Sequence, residues 1–110
     1  MKLKDVIAEL DLEVVVAGDL EVEVSGGYSC DLLSNVMAQA KAGDLWFTVQ
    51  GHQNTVAISL LVDLAAIVVV EDLEIEEKTI ERAREKEVTI LSSPQSAYQL
   101  AGQLYQLGID

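Results

Sequence analysis

The sequence has only one cysteine, one proline and one histidine among its 110 residues. A single cysteine cannot form an internal disulfide and excludes a zinc site built from cysteines, which fits a reducing compartment. The longest apolar stretch, Val56 to Val70, is interrupted by Ser59 and Asp63 and is shorter than the roughly 20 apolar residues that cross a bilayer. The amino terminus carries acids where a secretory signal has an apolar segment. The sequence therefore predicts a soluble, cytoplasmic protein with no membrane partner.

Basic residues are also scarce. Seven Lys and Arg residues stand against 19 Asp and Glu residues, which gives a formal net charge of -12. Binding to nucleic acid requires a broad basic surface, so nucleic acid is excluded as a partner. Four of the seven bases lie in one short stretch: Lys78, Arg82, Arg84 and Lys86. An anionic ligand would therefore be held mainly by backbone amides and helix ends.

Hydrophobic residues make up half of the chain, enough for one compact domain over residues 1–110. Apolar periodicity in the first part of the chain predicts a helix, two strands and a second helix. These elements are expected at Leu3 to Leu10, Glu13 to Ala17, Leu20 to Val24 and Asp31 to Lys41. Ser29 or Asp31 is expected to cap the second helix, which Gly43 closes.

Three apolar strands alternate with helical segments in the rest of the chain. The strands are predicted at Leu45 to Val49, Ala66 to Val70 and Val88 to Leu91, and the helices at His52 to Leu64, Glu74 to Glu87 and Gln95 to Leu107. Continuous apolar strands that alternate with helices are typical of a parallel sheet covered on both faces. The predicted fold class is α/β, with a parallel βαβαβα core, an amino-terminal helix and additional strands.

Ligands of such sheets bind beyond the carboxyl ends of the parallel strands. The segment SGGYSCD, residues 25–31, is expected to turn sharply from a strand into a helix beside those ends, with glycine providing positive φ and close backbone approach. Its glycines match neither the dinucleotide-binding fingerprint nor the P-loop. The predicted ligand-binding residues are Gly26, Gly27, Tyr28, Gln50, His52, Gln53, Asn54, Ser92 and Ser93.

Several of these residues have a simpler interpretation. His52 at a helix start suits an anion, but the favoured interpretation is a solvent-facing or locally hydrogen-bonded loop residue. Cys30 with His52 would form a nucleophile and base in outline, although free cysteine is more often a small buried hydrophobe. The acids after the second parallel strand, from Glu71 to Glu74, could attract a divalent cation but better suit a helix amino terminus. We therefore predict no catalytic residue, no metal and no cofactor.

The segment from His52 to Leu64 predicts a helix that is apolar on most of its circumference, with only Ser59 and Asp63 as a polar stripe. A helix of this kind is covered on more than one side. In a small domain one sheet covers one side, so a second copy of the chain would cover the rest, and we predict a homodimer. Tyr98 and Tyr105, at helical spacing, are expected in core or interface packing.

Across nearly the whole chain, the sequence resembles the DRTGG domain family. The resemblance covers EVSGGYSCDLLSNVMAQAKAGDLWFTVQGHQNTVAISLLVDLAAIVVVED, then a charged helix, then VTILSSPQSAYQLAGQL. The shared features are Gly-Asp-Leu before a strand, a polar loop at its end and a Ser-x-Pro-like loop before the last helix. The resemblance implies a fold like the amino-terminal, non-catalytic domain of HPr kinase/phosphorylase and the first domain of Mur ligases.

The residues that give the family its letters are replaced here. By strand alignment, the Gly-Asp-Arg loop corresponds to Gln50, Gly51 and His52, and the Thr-Gly-Gly loop to Val70, Glu71 and Asp72. The arginine is absent and two acids replace the glycine pair, which argues against the phosphate binding of some relatives.

The resemblance implies a non-catalytic regulatory or ligand-sensing module, dimeric, with a small nucleotide-like ligand at the strand ends. The alternative is a protein-interaction or adaptor domain whose ligand site has degenerated. Similar small proteins are often associated with iron-only hydrogenase systems, so a protein partner of that kind is a second expectation. Composition and motifs identify no ligand.

Overall fold

The structure is a computed structural model that describes residues 1–110. Five strands and five helices follow one another in the order α1, β1, β2, α2, β3, α3, β4, α4, β5, α5. The strands are β1 Glu13–Val16, β2 Gly26–Ser29, β3 Asp44–Thr48, β4 Ala66–Val69 and β5 Ile90–Ser92. The helices are α1 Leu3–Leu10, α2 Leu33–Gln39, α3 Asn54–Val62, α4 Glu77–Lys86 and α5 Ala97–Gln106.

The strands form one sheet in the order β1-β5-β4-β3-β2. Strands β2 to β5 are parallel, and β1 pairs antiparallel with β5. The predicted parallel α/β core is therefore confirmed. The strands at both edges of this sheet come from the first third of the chain.

Helices cover both faces of the sheet. On one face, α1 and α5 pack over alternate strand residues such as Leu45 and Phe47. On the other face, α2, α3 and α4 pack over the residues between them, such as Trp46. All residues of β3 and β4 are buried, as expected for strands with both faces covered.

The strand predicted from Leu20 to Val24 is wrong, although its alternation is real. This segment is a loop along the start of α1, where the amide of Leu3 donates to the carbonyl oxygen of Val22 at 2.8 Å. Val24 is buried in the core, while Glu21 pairs with Lys2 and Lys4. Its extended partner is the amino terminus, where Lys2 and Glu23 form an isolated bridge.

Helix α2 begins two residues later than expected and has no side-chain cap. The carboxylate of Asp31 instead accepts hydrogen bonds from the Thr48 hydroxyl and the Val49 amide, both at 2.9 Å. Asp31 thus joins the carboxyl end of β2 to that of β3. Leu32, at the start of α2, is exposed.

Helix α3 does not have the polar stripe that was predicted, because Ser59 is buried together with Val56 and Ile58. Its exposed side chains include Leu60 and Leu61, and Leu61 is 72% exposed. Any second copy that covers α3 would therefore contact these leucines and not Ile58. No helix in the structure has the length and apolar character needed to cross a membrane.

Candidate functional site

The nine candidate ligand-binding residues fall at opposite ends of the sheet. The polar residues from Gln50 to Asn54 follow β3, and Ser92 and Ser93 lie at the end of β5, so both groups are at the carboxyl edge. Gly26 and Gly27 begin β2 and pair with Asp44 and Leu45, the first residues of β3. The glycine pair therefore lies at the amino edge.

The proposed turn at the glycine pair is wrong. Gly26 and Gly27 are strand residues, and neither has positive φ. A Cβ at either position would require the end of a neighbouring side chain to shift. A Cβ on Gly26 would lie 2.6 Å from Oδ1 of Asp44, and a Cβ on Gly27 would lie 2.8 Å from Cδ2 of Leu104 in α5. Close packing, and not backbone conformation, accounts for both glycines.

The loops at the carboxyl edge are joined by backbone hydrogen bonds. The amide of Glu71 donates to the carbonyl oxygen of Gln95 at 2.9 Å, and the amide of Glu76 donates to that of Gly51 at 3.1 Å. The Thr79 hydroxyl donates to the same Gly51 oxygen at 2.7 Å. A Cβ on Gly51 would collide with the backbone of Glu74. These contacts close the space between the loops.

The polar side chains of this edge mostly serve the fold. The imidazole Nδ1 of His52 accepts a hydrogen bond from the amide of Asn54 at 3.1 Å, so His52 orders the start of α3. The buried hydroxyl of Ser93 accepts from the amide of Gln95 at 3.1 Å. Ser92 donates to Glu13 of β1 at 3.4 Å. The simpler interpretation of His52, a locally hydrogen-bonded residue, agrees with this geometry.

Two other arrangements considered from the sequence are not formed. The thiol of Cys30 contacts Asn35 and the carbonyl oxygen of Leu32, and no hydrogen bond joins it to His52. No group of three His, Cys, Asp or Glu side chains is placed to hold a metal ion.

Gln53 lines a cleft of about 240 Å³ against α4, together with Lys78, Glu81, Arg82 and Glu85.

The glycine pair borders a larger cavity, of about 410 Å³, at the amino edge of the sheet. It is lined by Ser25, Gly26, Gly27, Tyr28, Gln39, Lys41, Asp44 and Asp110. Three of the sequence-predicted ligand residues therefore lie together here. The phenol oxygen of Tyr28 accepts a hydrogen bond from Asn35 in α2 at 2.7 Å, which fixes the ring beside the cavity.

Asp44 is the charged group that the fold sets most deeply in this cavity. Its side chain is only 8% exposed. Oδ2 accepts a hydrogen bond from the amide of Lys41 at 2.9 Å, whereas Oδ1, on the side of Gly26, accepts none within the chain. No buried side-chain oxygen or nitrogen in the structure lacks a partner, so Oδ1 is open to the cavity, where water or a ligand can donate to it. Sequence reasoning missed Asp44 as a site residue, although an acid at the start of an apolar strand was a visible signal.

The family of the chain follows from a match over most of its length. A model of the DRTGG domain matches residues 5–107. The chain belongs to the DRTGG domain family. The family predicted from the loops and strands is thus confirmed. The strand alignment that sets Glu71 and Asp72 against the family's glycine pair stays a prediction. Both acids adopt positive φ, at 60° and 54°.

A solved structure supports the same fold. This DRTGG domain is similar to the CBS and DRTGG domains of the regulatory region of Clostridium perfringens pyrophosphatase, complexed with its activator diadenosine tetraphosphate. The TM-score is 0.77 at 13% sequence identity, over 96% of this chain and 46% of that one. The domain thus spans less than half of that chain. No curated protein matches the sequence.

Proposed function

We propose that this DRTGG domain is a non-catalytic regulatory module that senses a small ligand in the cavity beside β2. The observation that carries the proposal is Oδ1 of Asp44, an acceptor that is open to the cavity and has no donor in the chain. The volume of about 410 Å³ lies within the usual range of small-molecule sites. The carboxyl-edge loops, by contrast, bond to one another and leave little space for a ligand.

The charges of the cavity indicate which part of a nucleotide-like ligand would bind. Asp44 and Asp110 oppose the single base Lys41. A polyphosphate would meet repulsion here, whereas an N–H-bearing edge, such as that of a nucleobase, would donate to Asp44. The pyrophosphatase region with its diadenosine tetraphosphate activator supports a nucleotide-like ligand. At 13% sequence identity, that structure supports only the fold of this chain. The chemistry of the ligand is inferred from Asp44.

The test is a thermal-shift comparison with adenosine, guanosine, AMP, ATP and diadenosine tetraphosphate. A ligand at about 100 times its dissociation constant adds roughly 2.7 kcal/mol to the free energy of unfolding. We expect the nucleoside or monophosphate to stabilise the domain, and Asp44→Asn to abolish the shift. Asp63→Asn is the matched control, because Asp63 is an exposed acid in the left-handed conformation that asparagine tolerates. An unchanged shift in Asp44→Asn, or no shift with any compound, would refute the proposal.

A second candidate function, a protein-interaction or adaptor module, is favoured by the exposed leucines of α3. Leu60 and Leu61 are uncovered on the face opposite to α5. Pull-down with a candidate partner, including a component of a hydrogenase system, would support this function if Leu61→Ser lost the interaction. We further propose that the domain is cytoplasmic and acts as a homodimer.

A further inference from the structure

Helix α5 exposes a stripe of uncharged residues. Tyr98 is 89% exposed and Tyr105 is 69% exposed, with Gly102 between them. Because they are spaced by four and three residues, all three lie on one side of the helix. They border an open depression of about 540 Å³ on the surface of α5 itself, whose other lining residues are Gln99, Ala101, Gln103 and Gln106. Between Glu87 and Asp110 the chain has no charged residue.

The composition of this stripe differs from that of a helix surface that faces only water. Helix α4, on the opposite face, fills its exposed positions with charged residues, among them Glu81, Arg82 and Glu85. Tyrosine is enriched at the centres of protein interfaces, where lysine, glutamate and aspartate are depleted. The stripe on α5 therefore has the composition of an interface, in a chain that is otherwise strongly acidic.

Gly102 provides an independent observation. It lies inside α5, where glycine is a poor helix former. Its φ is not positive, and a Cβ at this position would have no atom within 4 Å. The fold of the single chain therefore gives no reason for glycine at this position. A second helix that crosses at Gly102 would provide one, because the missing side chain allows close approach.

We propose that α5 packs antiparallel against α5 of a second copy, with Gly102 at the crossing point. Tyr98 lies about 6 Å along the helix axis on one side of Gly102, and Tyr105 about 4.5 Å on the other. An antiparallel pair therefore brings Tyr98 of one copy beside Tyr105 of the partner subunit, twice. The stripe is thus self-complementary, as the interface of a symmetric dimer must be.

The uncharged surface of α5 allows a second copy to approach at this place, although the chain is strongly acidic. Two copies with a net charge of -12 each repel one another, and α5 lets them meet without opposing carboxylates. The remaining long-range repulsion is screened by salt. Dimerisation should accordingly strengthen as ionic strength rises. This inference rests on the proposed homodimer and assigns its interface to α5 in place of α3.

The test compares two substitutions that introduce the same charge on opposite faces, Gly102→Glu and Leu61→Glu. Sedimentation equilibrium of the full chain, at tens of micromolar and at two salt concentrations, gives the dimer dissociation constant. We expect a dimer for the wild type and for Leu61→Glu, and an increase of about 30-fold or more in the dissociation constant for Gly102→Glu. Glutamate is the better helix former, so the urea midpoint of dilute Gly102→Glu should stay the same or rise. Tyr98→Ala should weaken the dimer in the same direction.

Each contrary result refutes a definite part of the inference. A wild-type monomer contradicts both the homodimer and the α5 interface. A dimer that survives Gly102→Glu but is lost in Leu61→Glu contradicts α5 alone and assigns the interface to α3. Ligand sensing is tested separately by the thermal shift, because neither position lines the cavity beside β2.

Discussion

The backbone amide of Glu71 donates a 2.9 Å hydrogen bond to the carbonyl oxygen of Gln95 while Glu71 is in the left-handed conformation. Asp72 repeats the arrangement, with its amide bonded to the carbonyl oxygen of Ser93 at 3.0 Å. Two consecutive left-handed residues that are not glycine thus join the loop after β4 to the loop after β5. Each has a conformational cost that glycine would not have.

Glu71→Gly should stabilise the domain. Relief of the left-handed conformation outweighs the extra entropy that glycine brings to the unfolded chain, so the free energy of unfolding should rise by about 0.5–1 kcal/mol. Urea denaturation measures this change. Glu71→Ala is the control, because it removes the same charge and keeps the strained φ. Equal stability of the two variants would show that charge, and not backbone conformation, is the relevant difference.

The two glycines of β2 should respond differently to alanine. Gly27→Ala places a methyl group against Leu104 and Phe47, in the contact between β2 and α5, and should lower the free energy of unfolding by about 1–3 kcal/mol. Gly26→Ala places it against Oδ1 of Asp44, a group that borders the cavity. This second variant should lose ligand-induced stabilisation in the thermal-shift assay.

Urea denaturation and the thermal-shift assay, applied to both variants, separate packing from binding. If Gly27→Ala is as stable as the wild type, the close approach of Leu104 does not exclude a methyl group at this position. If Gly26→Ala retains the full ligand shift, its contact with Asp44 does not shape the binding site.

The amino-terminal ion pairs make a contribution that depends on pH. A hydrogen bond from Lys4, followed by one from Lys2, lowers the pKa of Glu21 below its ordinary value of 4.5. The folded state therefore binds the Glu21 proton less readily than the unfolded state. The resulting stabilisation is present above pH 4.5 and is lost as the pH falls through the lower, folded pKa.

Glu21→Gln should thus lower stability at pH 7 and have a smaller effect at strongly acidic pH. The difference should be small and should shrink in high salt, because the pair is exposed. Urea denaturation at the two pH values measures it. Glu9→Gln, at an exposed acid of α1 without an ion pair, is the control. A Glu21→Gln effect that is equal at both pH values would contradict the assignment.

The helices and strands that the sequence predicted correctly are those with a clear pattern of apolar side chains. The apolar runs in β3 and β4 correspond to buried strands, and α1 occupies the predicted range of Leu3–Leu10. In these elements the same apolar side chains that form the pattern also form the core. Helix α4 begins later than predicted, and the amide before it, that of Glu76, donates to the carbonyl oxygen of Gly51 in a loop distant in sequence.

The edge strand β2 was missed because glycine has no side chain and low strand propensity. Gly26 and Gly27 are in β2 because of their neighbours, and those neighbours are known only once the sheet order is known. The alternation from Leu20 to Val24 predicted a strand, since the pattern of one inward face is the same for a strand and for an extended loop. Val22 and Val24 do point inward, but their backbone pairs with the start of the chain.

The candidate site was divided for the same reason. The rule that places ligands at the carboxyl ends of strands does not take into account hydrogen bonds between the loops there, such as that between Glu76 and Gly51. The sequence shows Asp44 in the Gly-Asp-Leu pattern. It does not show that Oδ1 of Asp44 is free, because this depends on the hydrogen bond of Oδ2 with Lys41 and on the space beside Gly26.

The antiparallel pairing of β1 with β5 also sets an order on folding. The other strand pairs join segments separated by one helix, whereas Glu13 pairs with Ser92 across most of the chain. Contacts between distant segments are slow to form, because a long loop must close first. During synthesis, β1 therefore has no strand partner until β5, which follows it after most of the domain, has left the ribosome.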